Sequence, residues 1–298
     1  MKIRANGIDI EVEDSAGGQA SDQPVVLLIM GLGMQLVAWP PAFVDGLVAA
    51  GYRVVRYDNR DIGLSQHFDD CGVPNILLTS LKLKLGLSVH SPYTLHDMAL
   101  DGIGVLDALQ IPRAHVLGVS MGGMIAQRVA LAAPERTLSL TSIMSSSGAR
   151  GLPEASSKVM RALFSRPANG SLEAITDHFV KLYAVIGSPA YPMDAADVRA
   201  RVVPGLQRSY HPAGTLRQMV AIGADVEHRA RALGQVKSPT LVIHGRADPL
   251  VPYPCGADTA RRIPGARMVG IDGMGHDLPP QVVTQLLALV QPHFAQAA

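Results

Sequence analysis

Continuous apolar runs and segments with helical apolar spacing alternate along most of this chain. Pro24–Ile29 (PVVLLI) is apolar throughout, the pattern of a strand covered on both faces in a parallel sheet. Tyr52–Tyr57, Ala114–Gly118, Thr137–Met144, Pro239–Gly245 and Ala266–Ile271 read the same way. Pro41–Ala50, Leu95–Leu109, Met121–Ala133, Pro254–Ile263 and Gln281–Ala295 lie between or after them and read as helices. The alternation predicts an α/β class, a mostly parallel, doubly wound central sheet flanked by helices. Ahead of it, Lys2–Arg4 and Ile8–Glu13 flank Asn6-Gly7, a dipeptide that accepts the positive φ of a tight hairpin turn. Thr94-Leu95-His96-Asp97 reads as a capping box that starts the helix at Leu95 and leaves His96 on its surface.

Two stretches break the rhythm. Residues 146–235 are rich in helix formers and carry Pro153, Pro167, Pro189, Pro192, Pro204 and Pro212, with no convincing strand. A structureless loop of about 90 residues is improbable in a compact domain, so this stretch predicts a helical cap inserted into a core formed by residues 1–145 and 236–298. A second excursion, residues 66–91, holds an amphipathic piece around Asn75–Leu85 and reads as a rim or lid element.

Bulk properties narrow the function classes. Hydrophobic residues at 48% and charged residues at 17% of 298 suit a well-buried globular enzyme rather than a disordered chain. A formal net charge of +1, with scattered basic residues, gives no field to draw nucleic acid or an anionic membrane. Cys71 and Cys255 form no Cys-x-x-Cys pair, so neither a disulfide framework nor a zinc site is suggested. The N-terminal Met1–Gly7 lacks an apolar signal core, and no run reaches the roughly 18 apolar residues of a membrane span. A cytoplasmic location is the expectation; nothing in the sequence speaks to oligomeric state.

The chemistry concentrates in Gly118-Val119-Ser120-Met121-Gly122-Gly123. With 29 glycines in the chain, Gly-x-Ser-x-Gly arises easily by chance, so context must carry it. Here a strand feeds the corner and a helix leaves it, the setting in which a sharp turn lifts a serine hydroxyl out of a sheet. Gly118 and Gly122 allow that turn, and Gly123, Ala126 and Ala130 let the helix lie close. A serine hydroxyl needs a histidine to take its proton and an acid to orient that histidine. Asp248 follows the strand Pro239–Gly245, and His276 lies in the glycine-rich loop after Ala266–Ile271. The chain order Ser120, Asp248, His276 is that of an α/β-hydrolase. Oxyanion stabilisation needs two backbone N–H groups; Met121, after the serine, and Leu32, in the loop after Pro24–Ile29, are the candidates.

Taken together, Met30-Gly31-Leu32-Gly33, Tyr57 to Ser65 (YDNRDIGLS), the serine motif, His244 to Asp248 and Gly273-Met274-Gly275-His276 make the chain similar to esterases of the α/β-hydrolase superfamily. Within it, the chain resembles the aclacinomycin methylesterase-like bacterial hydrolases over nearly its whole length. The resemblance implies Ser120 as nucleophile, Asp248 as orienting acid, His276 as base, and a cap over the site. Two departures stand out. Met30-Gly31 replaces the commoner His-Gly, and Asp61 stands where glycine is usual, a position Asp can hold in a left-handed turn.

Rival readings exist for several residues. His244 shares a segment with the acid and reads as a core residue or a support for it. Asp58 and Arg60 read as braces of their loop, and Trp39 as packing beside the Leu32 loop. Asp272 and Asp277 flank His276 and rank below Asp248 because neither ends a separate strand. Met34, Met124, Met144 and Met274 are candidate substrate contacts, although methionines there are more often packing. His67, His90, His178 and His211 have no metal-ligand spacing, so no metal is expected, and no cofactor either.

The reading is a serine carboxylesterase acting on an apolar, small to medium ester as its small-molecule partner. A cofactor-free perhydrolase or haloperoxidase, or a C–C bond hydrolase, would use the same three residues, and a non-catalytic ligand-binding module is the remaining alternative. Epoxide hydrolases and haloalkane dehalogenases of this fold place aspartate at the nucleophile position, so Ser120 argues against both. A histidine base predicts ester turnover that rises with pH through the ordinary imidazole range, about 6.5; a rate flat from acid to neutral pH removes the histidine from that role.

Overall fold

The computed structural model describes residues 1–19, 21–85 and 87–297. Strands β1 (Lys2–Ala5) and β2 (Ile8–Asp14) form an antiparallel hairpin turning at Asn6 and Gly7, both at positive φ. They are followed by β3 (Val25–Ile29), α1 (Pro41–Ala49), β4 (Arg53–Tyr57), α2 (Ile76–Lys84), α3 (Leu95–Ala108), β5 (Ala114–Val119), α4 (Met121–Ala132) and β6 (Thr137–Ile143). Five helices come next: α5 (Ser157–Leu163), α6 (Leu172–Ile186), α7 (Ala195–Arg208), α8 (Pro212–Ala224) and α9 (His228–Ala232). The chain closes with β7 (Thr240–Gly245), α10 (Tyr253–Arg262), β8 (Arg267–Ile271) and α11 (Pro280–Ala295). The eight strands make one sheet in the order β1-β2-β4-β3-β5-β6-β7-β8, antiparallel only at β1-β2 and β2-β4.

Strand side chains alternate between two cores because successive residues point to opposite faces. Leu27 and Ile29 of β3 and Val116 of β5 join α3 and α4 on one face. Val26, Leu28 and Leu117 join Phe43 and Leu47 of α1 and Val282, Leu286 and Phe294 of α11 on the other. Each fully buried aliphatic side chain contributes about 1.5–3 kcal/mol relative to exposure, which explains why β3 is apolar without interruption and β5 at every position but His115. The α3 start is a complete capping box: Thr94 Oγ1 accepts from Asp97 N–H, and the Asp97 carboxylate accepts from Thr94 N–H.

Between β6 and β7 no strand occurs among the described residues. Ser156, Ser171 and Asp194 cap α5, α6 and α7 with their side chains. Of the prolines in this stretch, Pro212 starts α8 and Pro204 lies inside α7. Proline is accepted at a first turn because its missing N–H has no intrahelical partner there. No helix among the described residues is long and apolar enough to cross a membrane.

His115 on β5 is fully enclosed, stacked 4.6 Å from the Phe294 ring and hydrogen-bonded through Nδ1 to Ser139 Oγ at 2.9 Å. Burial, with the His293 charge nearby, pushes its pKa down to about 4. Below its unfolded value of about 6.5 the unfolded chain binds this proton and the native state does not. The contribution is therefore complete above that value and is lost as pH falls toward 4, by at most about 3 kcal/mol. Urea unfolding across this window should show stability falling with pH, and His115→Gln should flatten the slope; an unchanged slope in the variant contradicts the assignment.

Candidate active site

Strand β5 hands directly to α4 through Ser120, whose φ of 54° and ψ of −123° are strained for a residue with a side chain. The neighbours make this possible by lacking a Cβ. One built on Gly118 would overlap the Gly122 carbonyl, and one on Gly122 would overlap the Ile29 carbonyl. Ser120 N–H donates to Ile143 O at 2.9 Å, and Ser145 Oγ donates to Ser120 O at 2.7 Å, so both peptide groups of the corner are held from β6 and its loop.

The loops after β7 and β8 bring the other two side chains to it. His276 Nε2 stands 3.0 Å from Ser120 Oγ, and His276 Nδ1 stands 2.7 Å from Asp248 Oδ2. The other Asp248 oxygen accepts from the N–H groups of Leu250 and Val251, both at 2.9 Å. Burial opposes ionisation of Asp248. The His276 charge, with hydrogen bonding from His244 and His276, outweighs it and holds the carboxyl below the usual carboxylate range. An imidazole between a hydroxyl and such a carboxylate can take the hydroxyl proton while keeping one tautomer.

His244 is buried beside this pair. Its Nε2 lies 2.7 Å from Val251 O and 3.5 Å from Asp248 Oδ2, so its main bond is to the backbone and it supports the acid loop. The rival carboxylates lie elsewhere: Asp272 pairs with Arg246 at the surface, and Asp277 accepts from Ser188 Oγ. Cys255 is buried, which pushes its thiol up to about 11 and keeps it protonated.

The loop after β3 runs against the serine: a Cβ on Gly31 would lie 3.2 Å from Ser120 Cβ. The N–H groups of Leu32 and Met121 have no hydrogen-bond acceptor among the described residues. The Leu32 loop is pinned from several sides. Asn59 Nδ2 donates to Met30 O at 2.9 Å, and Gly33 N–H donates to Gln218 Oε1 at 3.0 Å. Gln35 Nε2 donates to the carbonyls of Gly205 and Ser209, both at 2.6 Å. Helices α7 and α8 thus fix the orientation of the Leu32 loop. Trp39 is buried and stacks on Phe43, 5.5 Å between centroids, in the cluster that also holds Met30.

Among the four candidate methionines, Met34 is half-buried on this loop and Met124 keeps a trace of exposure. Met144 and Met274 are enclosed in the core beside α11 and pack there.

Sequence reasoning missed the anchors between the inserted helices and the loop after β4. Asp61 occupies the left-handed conformation expected of it, with φ 71°, but it also forms a two-bond pair with Arg217 of α8 at 2.7 and 2.8 Å. Tyr93 Oη and Phe68 N–H donate to the same carboxylate, at 2.7 and 2.8 Å. Burial raises the Asp61 pKa, and Arg217 with these bonds overrides it, so the carboxyl ends below its ordinary range. Asp58 likewise accepts from Leu36 N–H, Leu64 N–H and Arg208 of α7, and Arg60 pairs with Asp101 of α3 at 2.6 and 2.7 Å.

His67 and His211, distant in sequence, stack with parallel rings 3.8 Å apart, and Asp69 joins them within 4.8 Å. These are metal-ligand residue types, but both His211 nitrogens already face acceptors, Asp61 O and Asp69 Oδ1, at 2.8 Å each. Two rings stacked this way cannot both point a lone pair at one ion without turning.

A nucleophile-type corner between a parallel strand and a helix, with the acid and the histidine on later loops, defines a class. The chain belongs to the alpha/beta hydrolase fold family, whose model matches residues 24–280. It is 33% identical to the rhodomycin D methylesterase of Streptomyces sp. (strain C5), covering 93% of this chain and 92% of that protein. Two solved structures share its fold. The enol-lactonase from Burkholderia xenovorans LB400 has a TM-score of 0.72 at 21% identity, covering 99% of this chain and 100% of that one. The meta-cleavage product hydrolase from Pseudomonas fluorescens IP01 has a TM-score of 0.74 at 20% identity, covering 100% and 98%.

Arg217→Met leaves the Asp61 carboxylate buried and unpaired and should cost about 3–5 kcal/mol of stability. Adding Asp61→Asn, which removes that charge and tolerates the backbone, should restore part of the loss. Urea midpoints of the two variants read this out, and a single variant as stable as the parent contradicts the anchor.

Proposed function

We propose that this chain is a carboxylic-ester hydrolase working through an acyl-enzyme on Ser120. The observation that carries the reading is the unbroken Ser120–His276–Asp248 hydrogen-bond chain, with two unpartnered N–H groups at its serine end. His276 takes the serine proton as Oγ attacks the ester carbonyl, then returns it to the departing alcohol. The N–H groups of Leu32 and Met121 hold the oxyanion, the latter aided by the positive end of the α4 dipole. Water activated by His276 then releases the acid, and the cycle needs no cofactor.

Residues 146–235 act in this reading as a cap whose contacts with the Leu32 loop shape the pocket. The stretch contributes many aliphatic residues, and a relative at 33% identity is a methylesterase, so an apolar ester of small or medium size is the proposed substrate. Met34 and Met124 are the methionines best exposed to meet it.

Ser120→Ala should abolish turnover of a p-nitrophenyl acyl ester while leaving the urea midpoint within about 0.5 kcal/mol of parent stability or higher, since alanine only removes the hydroxyl. Asp248→Asn should lower kcat by about 10⁴. Because the Asp248 carboxyl is held below the ordinary range, acid inactivation above that range does not come from this acid. Retained turnover in Ser120→Ala removes the proposal. A vinylogous diketone or a peroxide with acetate consumed faster than any ester in a side-by-side assay replaces it with C–C hydrolysis or perhydrolysis.

A further inference from the structure

The helix α2 turns three leucines to water. Leu77, Leu78 and Leu81 are 86%, 50% and 55% exposed, while Ile76, Thr79 and Ser80 are half-buried. Its flanks continue the pattern, with Val73, Leu85 and Leu87 all exposed. A water-facing helix normally does the reverse, and an apolar patch of this kind on a folded surface marks an interaction site. The placement is anchored. Arg217 of α8 donates to Gly72 O at 2.7 Å and pairs with Asp69, and α2 itself packs against α8.

Charge selects the occupant. Residues 71–96 include Lys82 and Lys84 and no aspartate or glutamate. Of the acids that bracket the stretch, Asp69 is engaged by Arg217 and His211, and Asp97 is committed to the α3 capping box; Asp70 alone is exposed without an ion pair among the described residues. A second copy seated on this face about a two-fold axis would bring lysines together with Asp70 as the one unpaired acid near them. A surface of lipid phosphates meets them with opposite charge, and bare leucines beside lysines suit the boundary between headgroups and acyl chains. At nine residues α2 is about 14 Å long, less than half the hydrocarbon thickness, so it can lie on a bilayer but not span one.

We propose that α2 and its flanks are a docking surface for an anionic lipid bilayer, with Leu77, Leu78 and Leu81 buried at the interface and Lys82 at the headgroups. The whole-chain net charge of +1, which argued against such a partner, averages over this one acid-free segment. The proposal is independent of the ester reading, because adsorption needs no turnover.

Sedimentation of the full chain with vesicles of phosphatidylcholine, alone or with phosphatidylglycerol added, tests it. Binding should favour the mixed vesicles and weaken with salt, as exposed charge interactions do. Lys82→Glu with Lys84→Glu should weaken it at least tenfold, and Leu77→Asp with Leu81→Asp should abolish it, with the urea midpoint of each variant confirming that it folds. No binding to either vesicle, or binding untouched by the leucine changes, overturns the proposal. So does a concentration-dependent dimer in sedimentation velocity that Leu77→Asp with Leu81→Asp dissolves, since the face would then belong to a second copy.

Discussion

The structure depends on holding one serine in a backbone conformation that costs about 1–3 kcal/mol. Ser120 at φ 54° is tolerated because Gly118, Gly122 and Gly31 leave room on three sides, and because β6 and Ser145 bond its peptide groups. The strain has two geometric results. It projects the hydroxyl beyond the end of β5, and it leaves the next N–H at the start of α4 without an intrahelical partner. Everything else around the site is arranged to meet those two groups.

Meeting them is largely the work of segments far away in the chain. The Leu32 loop is held by Gln218 and by the carbonyls that end α7, and the loop after β4 by Arg208 and Arg217. These are polar contacts, made by side chains to carboxylates and to backbone groups. Buried carboxylate–guanidinium pairs add little net stability compared with apolar packing but are costly to break, so they act here chiefly as registration between the inserted helices and the sheet.

The pattern along the chain carried the sheet well, because a buried parallel strand has a local signature: β3 is apolar at every position and β5 at all but His115, and the capping box at Thr94 is spelled within four residues. The placement of Ser120, Asp248 and His276 after β5, β7 and β8 was also readable, since chain order and strand ends suffice. What was not readable depends on partners remote in sequence. Asp61 could be seen to suit a left-handed turn, but its pairing with Arg217 could not, because nothing local distinguishes that arginine from a surface one. His67 and His211 show no spacing and yet stack. The α2 stretch showed its amphipathic period, but periodicity does not say which side faces the protein, and here Leu77, Leu78 and Leu81 face away from it.

The histidine loop is suspended from the far end of α6. His276 N–H donates to Ile186 O at 2.7 Å, Gly275 N–H donates to Ser188 Oγ at 2.9 Å, and Ala190 N–H donates to Gly273 O at 3.2 Å. A chimaera that exchanges the inserted helices for those of a relative therefore also exchanges the hanger of its own His276 loop. Grafting junctions drawn at the ends of β6 and β7 cut through this suspension, and only a transplant that keeps the 186–190 backbone can change the pocket without loosening the imidazole.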